Sequence, residues 1–179
     1  MEPRQHPLKN GAVLLIREAT AEDARALLDY LACIGAESDF PTFGPGETKK
    51  TEAEERDYLR RCNETDNQLS ILGLINDRIT STLDFSAGQR PRLRHSGELG
   101  MSVRKDYWSL GIGSLMLDAL IDWAKQTGIF KKINLRVRTD NNRAIALYKR
   151  KGFLNEGTIR REMFVNGTYF DHYWMGLEL

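Results

Sequence analysis

The chain has 179 residues, 41% hydrophobic and 28% charged, with a net charge of +1, which suits one soluble globular domain with a substantial core. Lys and Arg are interspersed with Asp and Glu, so no basic stripe marks a nucleic-acid partner, and nothing approaches the ~18 consecutive apolar residues of a membrane span. The polar start Met-Glu-Pro-Arg-Gln-His-Pro lacks the apolar core of a signal peptide, and Cys33 and Cys62 match no metal spacing and read as reduced thiols of a cytoplasmic protein.

Residues 1–11 read as a flexible lead-in and residues 12–179 as a single domain. Ala12 to Arg17 reads as a strand, and Thr20 caps a helix from about Ala21 to Cys33 in which Ala24, Leu27, Leu28 and Leu31 recur at helical spacing. Three glycines and two prolines between Gly35 and Glu47 exclude a regular element there. A mostly charged helix follows from about Thr51 to Cys62. The apolar runs Gln68–Leu74 and Ile79–Phe85 flank Asn76-Asp77-Arg78 as a hairpin. Residues 87–94, with Pro91, read as a loop beside a surface His95, and Gly97–Val103 as the central strand.

After a glycine turn, Ile112, Leu115, Met116, Ala119, Leu120 and Trp123 form one face of a helix, and Ser114, Asp118, Asp122 and Gln126 the other. Ile133, Leu135 and Val137 alternate with Asn134, Arg136 and Arg138, a strand with one apolar face. Asn141–Lys151 carries an Asn cap, an apolar stripe, basic residues in its last turn and Gly152 as its stop. Phe153–Arg160 and Tyr169–Leu177 are the last strands, joined around Asn166-Gly167. The order β-α-α-β-β-β-α-β-α-β-β predicts an α/β (α+β) mixed sheet of about seven strands flanked by about four helices.

The glycine pair Gly111-x-Gly113 opens a helix, and the first turn of a helix has N–H donors without intrahelical partners, reinforced by the helix dipole. Glycines there let a phosphate or pyrophosphate reach the main chain, although a tight strand-to-helix turn would also use them. The dinucleotide fingerprint fails at Met116, and the Walker loop fails at Gly113-Ser-Leu.

Gly111-x-Gly113 after a strand ending at Val103, followed by Asn141-x-x-Ala144-x-x-Leu147-Tyr148-x-x-x-Gly152-Phe153, resembles the GNAT superfamily of acetyl-CoA-dependent N-acetyltransferases. Ile16-Arg17 and the run to Ala24 resemble that family's first strand and helix, so the likeness covers nearly all of residues 13–179. It implies a sheet splayed between the central strand and the next, with the cofactor's pantetheine arm against main chain at Met101, Ser102 and Val103. Trp108, Leu110, Gly111, Ile112, Gly113 and Ser114 would surround the pyrophosphate, with Trp108 standing where the family usually has Gln or Arg. Asn141, Ala144 and Tyr148 would line the cofactor from the next helix, Tyr148 protonating the leaving thiolate.

Glu98 is the implied base, one residue out of register with the family's glutamate; in a strand that turns a side chain to the opposite face unless a bulge intervenes. Asp171 and His172 are held in reserve, and Glu37, Asp39, Phe40 and Phe43 are candidates for acceptor contact. The resemblance further implies acetyl-CoA as cosubstrate, no metal, direct attack by a primary amine (small amine, amino acid or protein N-terminus) in a ternary complex, and by family habit a homodimer. Two other readings are a non-catalytic acyl-CoA-binding or regulatory module of the same fold and a nucleotide-binding α/β protein. Retention of both Asn141 and Tyr148 favours catalysis over the first, and the failed fingerprints argue against the second.

Overall fold

The structure, a computed structural model, describes residues 1–179. Its elements are β1 (Arg4–Pro7), β2 (Val13–Glu18), α1 (Ala24–Glu37), α2 (Glu52–Glu64), β3 (Gln68–Ile75), β4 (Arg78–Ala87), β5 (Ser96–Val103), α3 (Ile112–Thr127), β6 (Lys132–Arg138), α4 (Asn142–Arg150), β7 (Leu154–Val165) and β8 (Thr168–Glu178). All eight strands share one sheet in the order β1-β2-β3-β4-β5-β6-β8-β7.

One strand more than expected is present, and it comes from the stretch read as a flexible lead-in. Arg4–Pro7 pairs antiparallel with β2, Arg4 opposite Ile16 and His6 opposite Leu14, and the turn behind it is fixed by buried Leu8, whose amide donates to the Ala12 carbonyl at 2.8 Å. Prolines at 3 and 7 are tolerated because the strand is short and lies on the sheet edge. Helix α1 also runs four residues past its expected end. Its last residue, Glu37, bonds the Arg104 guanidinium and the Lys105 amide beyond β5, which anchors the extra turn.

Local chemistry explains much of the rest. Asn76 and Asp77 (φ 50° and 60°) and Asn166 and Gly167 (φ 49° and 80°) are the two-residue turns of the β3–β4 and β7–β8 hairpins, their positive φ values matching the twist of the flanking strands. Helix α2 opens with a capping box: the Thr51 amide donates to Glu54 Oε2 at 2.7 Å, and the Glu54 amide to Thr51 Oγ1 at 3.2 Å. Thr51→Ala is expected to lower unfolding free energy by about 1 kcal/mol without altering ligand affinity; an unchanged denaturation midpoint would contradict this.

The sheet separates two apolar layers. On one face α3 and α4 bury Met116, Leu117, Leu120, Ile145 and Tyr148 against Leu83, Phe85, Leu99 and Ile133. On the other, α1 and α2 bury Leu27, Tyr30 and Leu59 against Leu72 and Leu74. Each fully buried leucine or phenylalanine contributes about 1.5–3 kcal/mol.

The sheet's one parallel junction shapes its centre. β5 and β6 pair only through Ser96↔Lys132, Gly97↔Ile133 and Glu98↔Asn134. Beyond these, β5 stays with β4 as far as Val103, and β6 stays with β8 as far as Arg138, so the two strands part and leave a wedge-shaped gap.

Candidate active site

The glycine turn sits at the mouth of that gap. Ser109 (φ 67°) and Gly111 (φ 88°) are both left-handed and bend the chain sharply on either side of Leu110. The amides of Ser114 and Leu115 return to the Gly111 carbonyl at 3.0 and 3.2 Å, leaving those of Ile112 and Gly113 without a partner in the helix. The expected cradle is therefore narrower than Gly111–Ser114, because the Ser114 amide is already used.

The two glycines have different reasons. A Cβ on Gly113 would sit 3.1 Å from Leu147 and 3.4 Å from Met101, so this glycine lets α4 and β5 close on the turn. A Cβ on Gly111 would meet nothing within 4 Å; there the requirement is the positive φ and open space in front of the main chain.

Trp108 does not face this space as a phosphate ligand would. Its indole N–H donates to the Val103 carbonyl at 2.7 Å, tying the turn to the end of β5. The Arg143 guanidinium, absent from the sequence reading, lies over the indole ring at 4.8 Å and brings a cation from α4 to the edge of the turn.

Backbone alternation decides which β5 groups face the gap. The Arg104 amide donates to Thr80 on the β4 side, and main-chain groups switch sides at each residue. The amides of Val103 and Met101 therefore point away from β4, into the splay, while that of Leu99, on the same side, closes the last rung with Asn134. Side chains alternate too: Met101 and Val103 pack toward α3, whereas Ser102 turns to the other face and bonds the Tyr30 hydroxyl at 2.9 Å.

Asn141 proves to be the N-cap of α4, its side-chain oxygen accepting from the Ala144 amide at 3.2 Å, so only its NH₂ group remains for a ligand. Tyr148 is buried, edge-on to Phe153 at 5.7 Å. Its hydroxyl makes no hydrogen bond within the protein yet is not among the atoms sealed from solvent. Burial alone pushes its pKa up to about 12, so it stays protonated at neutral pH.

Residues 35–153 match the Acetyltransferase (GNAT) family. The chain is a member of that family. The GNAT acetyltransferase of Streptococcus pneumoniae has a similar solved structure, with a TM-score of 0.90 and 36% identity over 93% of this chain and 99% of that one. The L-amino acid N-acetyltransferase AaaT of Escherichia coli is 30% identical over 105 residues, 59% of this chain and 65% of that protein, so the match spans slightly under two thirds of this curated relative. The yncA structure of Salmonella typhimurium with its cofactor acetyl-CoA superposes with a TM-score of 0.80 at 17% identity, over 93% of this chain and 94% of that one, a likeness of fold.

On the opposite face of this GNAT chain, Glu98 is not a free base. The β4–β5 ladder is unbroken, without the bulge that would re-aim it, and its carboxylate accepts Arg136 Nε at 2.7 Å while Arg136 also holds Glu162 at 2.8 Å. His172 is buried with Nδ1 unpartnered; burial lowers its pKa, with Arg136 and Arg138 acting in the same direction against Glu162 and Asp140. Asp171 accepts the Arg161 amide at 2.8 Å and braces the β7 bulge.

The segment after α1 is held down by Arg138. This guanidinium bonds Asp140 at 2.6 and 2.9 Å and the Asp39 carbonyl at 2.7 Å, and lies over the rings of Phe40 (4.7 Å) and Phe170 (3.8 Å). Of the candidate acceptor contacts, Asp39 and Phe40 thus belong to this clamp, Glu37 pairs with Arg104, and Phe43 packs on the α1/α2 core. Two cavities elsewhere, one by Asn63 and Thr127 and one by Lys49 and Arg61 outside α2, include no residue of the turn.

Proposed function

We propose that this GNAT protein transfers the acetyl group of acetyl-CoA to a primary amine by direct attack in a ternary complex. The observation that carries the reading is the splay itself: main-chain donors of β5 line one wall, unpartnered amides of a glycine turn stand at its mouth, and Tyr148 lies on the α4 side. The open approach at Gly111 fits a diphosphate, and the unpaired β5 edge fits an amide-bearing arm.

Acetyl-CoA supplies the activated thioester. The Ile112 and Gly113 amides hold its diphosphate, with the Asn141 NH₂ group and the Arg143 guanidinium beside them. The Met101 amide, aimed into the gap, donates to the carbonyl oxygen and stabilises the charge that develops there. Tyr148 gives its proton to the departing sulfur. The acceptor approaches from the α1/α2 face, past the segment that Arg138 holds. We place the reaction in the cytoplasm, where Cys33 and Cys62, neither in a disulfide, stay reduced.

Incubation with acetyl-CoA and a panel of amines, including L-amino acids because AaaT is named for them, should release free thiol with at least one acceptor. Tight acetyl-CoA binding with no thiol release from any amine would instead mark a binding module. A homodimer is the expected assembly: β7 forms the sheet's outer edge, with Leu154 and Phe164 on it 71% and 60% exposed and Tyr169, opposite Phe164 on β8, 58% exposed. Sedimentation should return twice the 20.5 kDa chain mass; a monomer at micromolar concentration would refute the dimer.

A further inference from the structure

On the α1/α2 face one carboxylate oxygen, Asp84 Oδ1, stands without a hydrogen-bond partner. Thr82 of β4 and Ser102 of β5 share a hydrogen bond at 3.1 Å on this face, beneath Tyr30 of α1, so Asp84, two residues along β4, points the same way. There α2 presents Glu55, Tyr58 and Cys62, and Ser70 lies directly across from Asp84 on β3. Glu55 is only 2% exposed and accepts Lys50 Nζ at 2.9 Å. Two carboxylates thus share one ammonium group, and it belongs to Glu55. Asp84 Oδ1 is sealed from solvent with no hydrogen-bond partner. Burial raises the Asp84 pKa and the Glu55 charge adds to the rise, while Ser70, Lys50 and Tyr58 oppose it. A carboxylate so placed costs free energy until a cation joins it.

The space beside it is open. Across the β4–β5 ladder Asp84 faces Gly100, where a Cβ would meet nothing within 4 Å. Gly100 precedes Met101, whose amide points into the splay. Strands lie about 4.8 Å apart, so a group resting on Gly100 touches Asp84 on one side and the gap on the other. Other charges on this face are matched: Glu98 with Arg136, Arg104 with Glu37, Arg138 with Asp140. His172 is the poorer host for a cation, since Arg136 and Arg138 both act on it.

We propose that Asp84 receives the protonated primary amine of the acceptor over Gly100 and takes the proton that the amine must lose, an assignment that rests on the acetyltransferase reading. The ammonium group passes one proton to the Asp84 carboxylate, leaving a neutral amine and a carboxylic acid. The nitrogen lone pair then forms the C–N bond at the acetyl carbonyl as the C–S bond breaks. Tyr148 protonates the sulfur and regains a proton from the nitrogen, and Asp84 releases its own to solvent.

Calorimetric titration of the coenzyme A-saturated protein with 1,5-diaminopentane and with an alanine-initiated tripeptide tests this and separates a small amine from a peptide N-terminus. Parent protein should bind at least one of them. Asp84→Asn should bind it at least tenfold more weakly, with acetyl-CoA affinity within twofold of the parent. Gly100→Val, which fills the open space without strain at a positive φ, should do the same. Asp84→Asn should melt no lower than the parent at pH 7.5: a raised folded-state pKa means that ionised Asp84 opposes folding above that pKa, and the variant's advantage shrinks as the pH falls and the parent's carboxyl takes up its proton. Unchanged amine affinity in both variants, or a parent that binds acetyl-CoA but neither amine, would overturn the proposal and leave the cofactor reading standing. Amine binding without acetyl-CoA binding would uphold the cation site and strike the transferase reading instead.

Discussion

Tyr148→Phe is expected to lower kcat about 10²-fold, within the range for loss of a positioned acid, and to leave acetyl-CoA affinity within twofold of the parent. The ring is buried and packs edge-on against Phe153 at 5.7 Å, so phenylalanine keeps the packing and removes only the hydroxyl. That hydroxyl has no partner within the protein, so no internal hydrogen bond is lost with it. Its pKa, raised to about 12 by burial, also fixes the sign of a pH experiment. A phenol with a raised pKa stays protonated below it, so no limb from Tyr148 should cross the parent's rate profile between about pH 6 and 9. Steady-state kinetics of the variant, with a direct acetyl-CoA titration, decides the matter: an unchanged kcat would remove Tyr148 from the mechanism.

Gly111→Val should act on the other half of the reaction, weakening acetyl-CoA binding by about 10²-fold, which is about 2.7 kcal/mol. Two effects combine. At φ 88° a β-branched residue is strained by roughly 1–3 kcal/mol, so the turn tends to relax away from the shape that presents the Ile112 and Gly113 amides. The new side chain also enters the space in front of the main chain, which nothing else occupies within 4 Å. Affinity within twofold of the parent would move the diphosphate site away from this turn.

Most of the architecture was readable because its signals are local. The Asn141 cap of α4, the Asn166-Gly167 turn and the alternation of Ile133, Leu135 and Val137 each act within a few residues. What escaped depends on partners distant in the chain. β1 is a strand only because β2 offers it an edge. Glu98 shows the limit most clearly: its candidacy as a base required a bulge in the β4–β5 ladder, and the ladder has none, so its carboxylate meets Arg136 across 38 positions. The same holds for Arg138, whose reach to Asp39 spans 99 positions.

An interior strand ordinarily has both of its edges saturated, and that saturation is part of what makes a sheet's centre its most durable region. In this molecule the middle of the sheet keeps one seam unzipped beyond Glu98, so some cohesion is reserved for a visitor that completes the pattern. Whatever fills the seam becomes part of the architecture while it stays, and the folded state gains by mass action in proportion to its supply. Survival against heat and proteases then rises and falls with the concentration of that small molecule, through the same parting of strands that admits it to react.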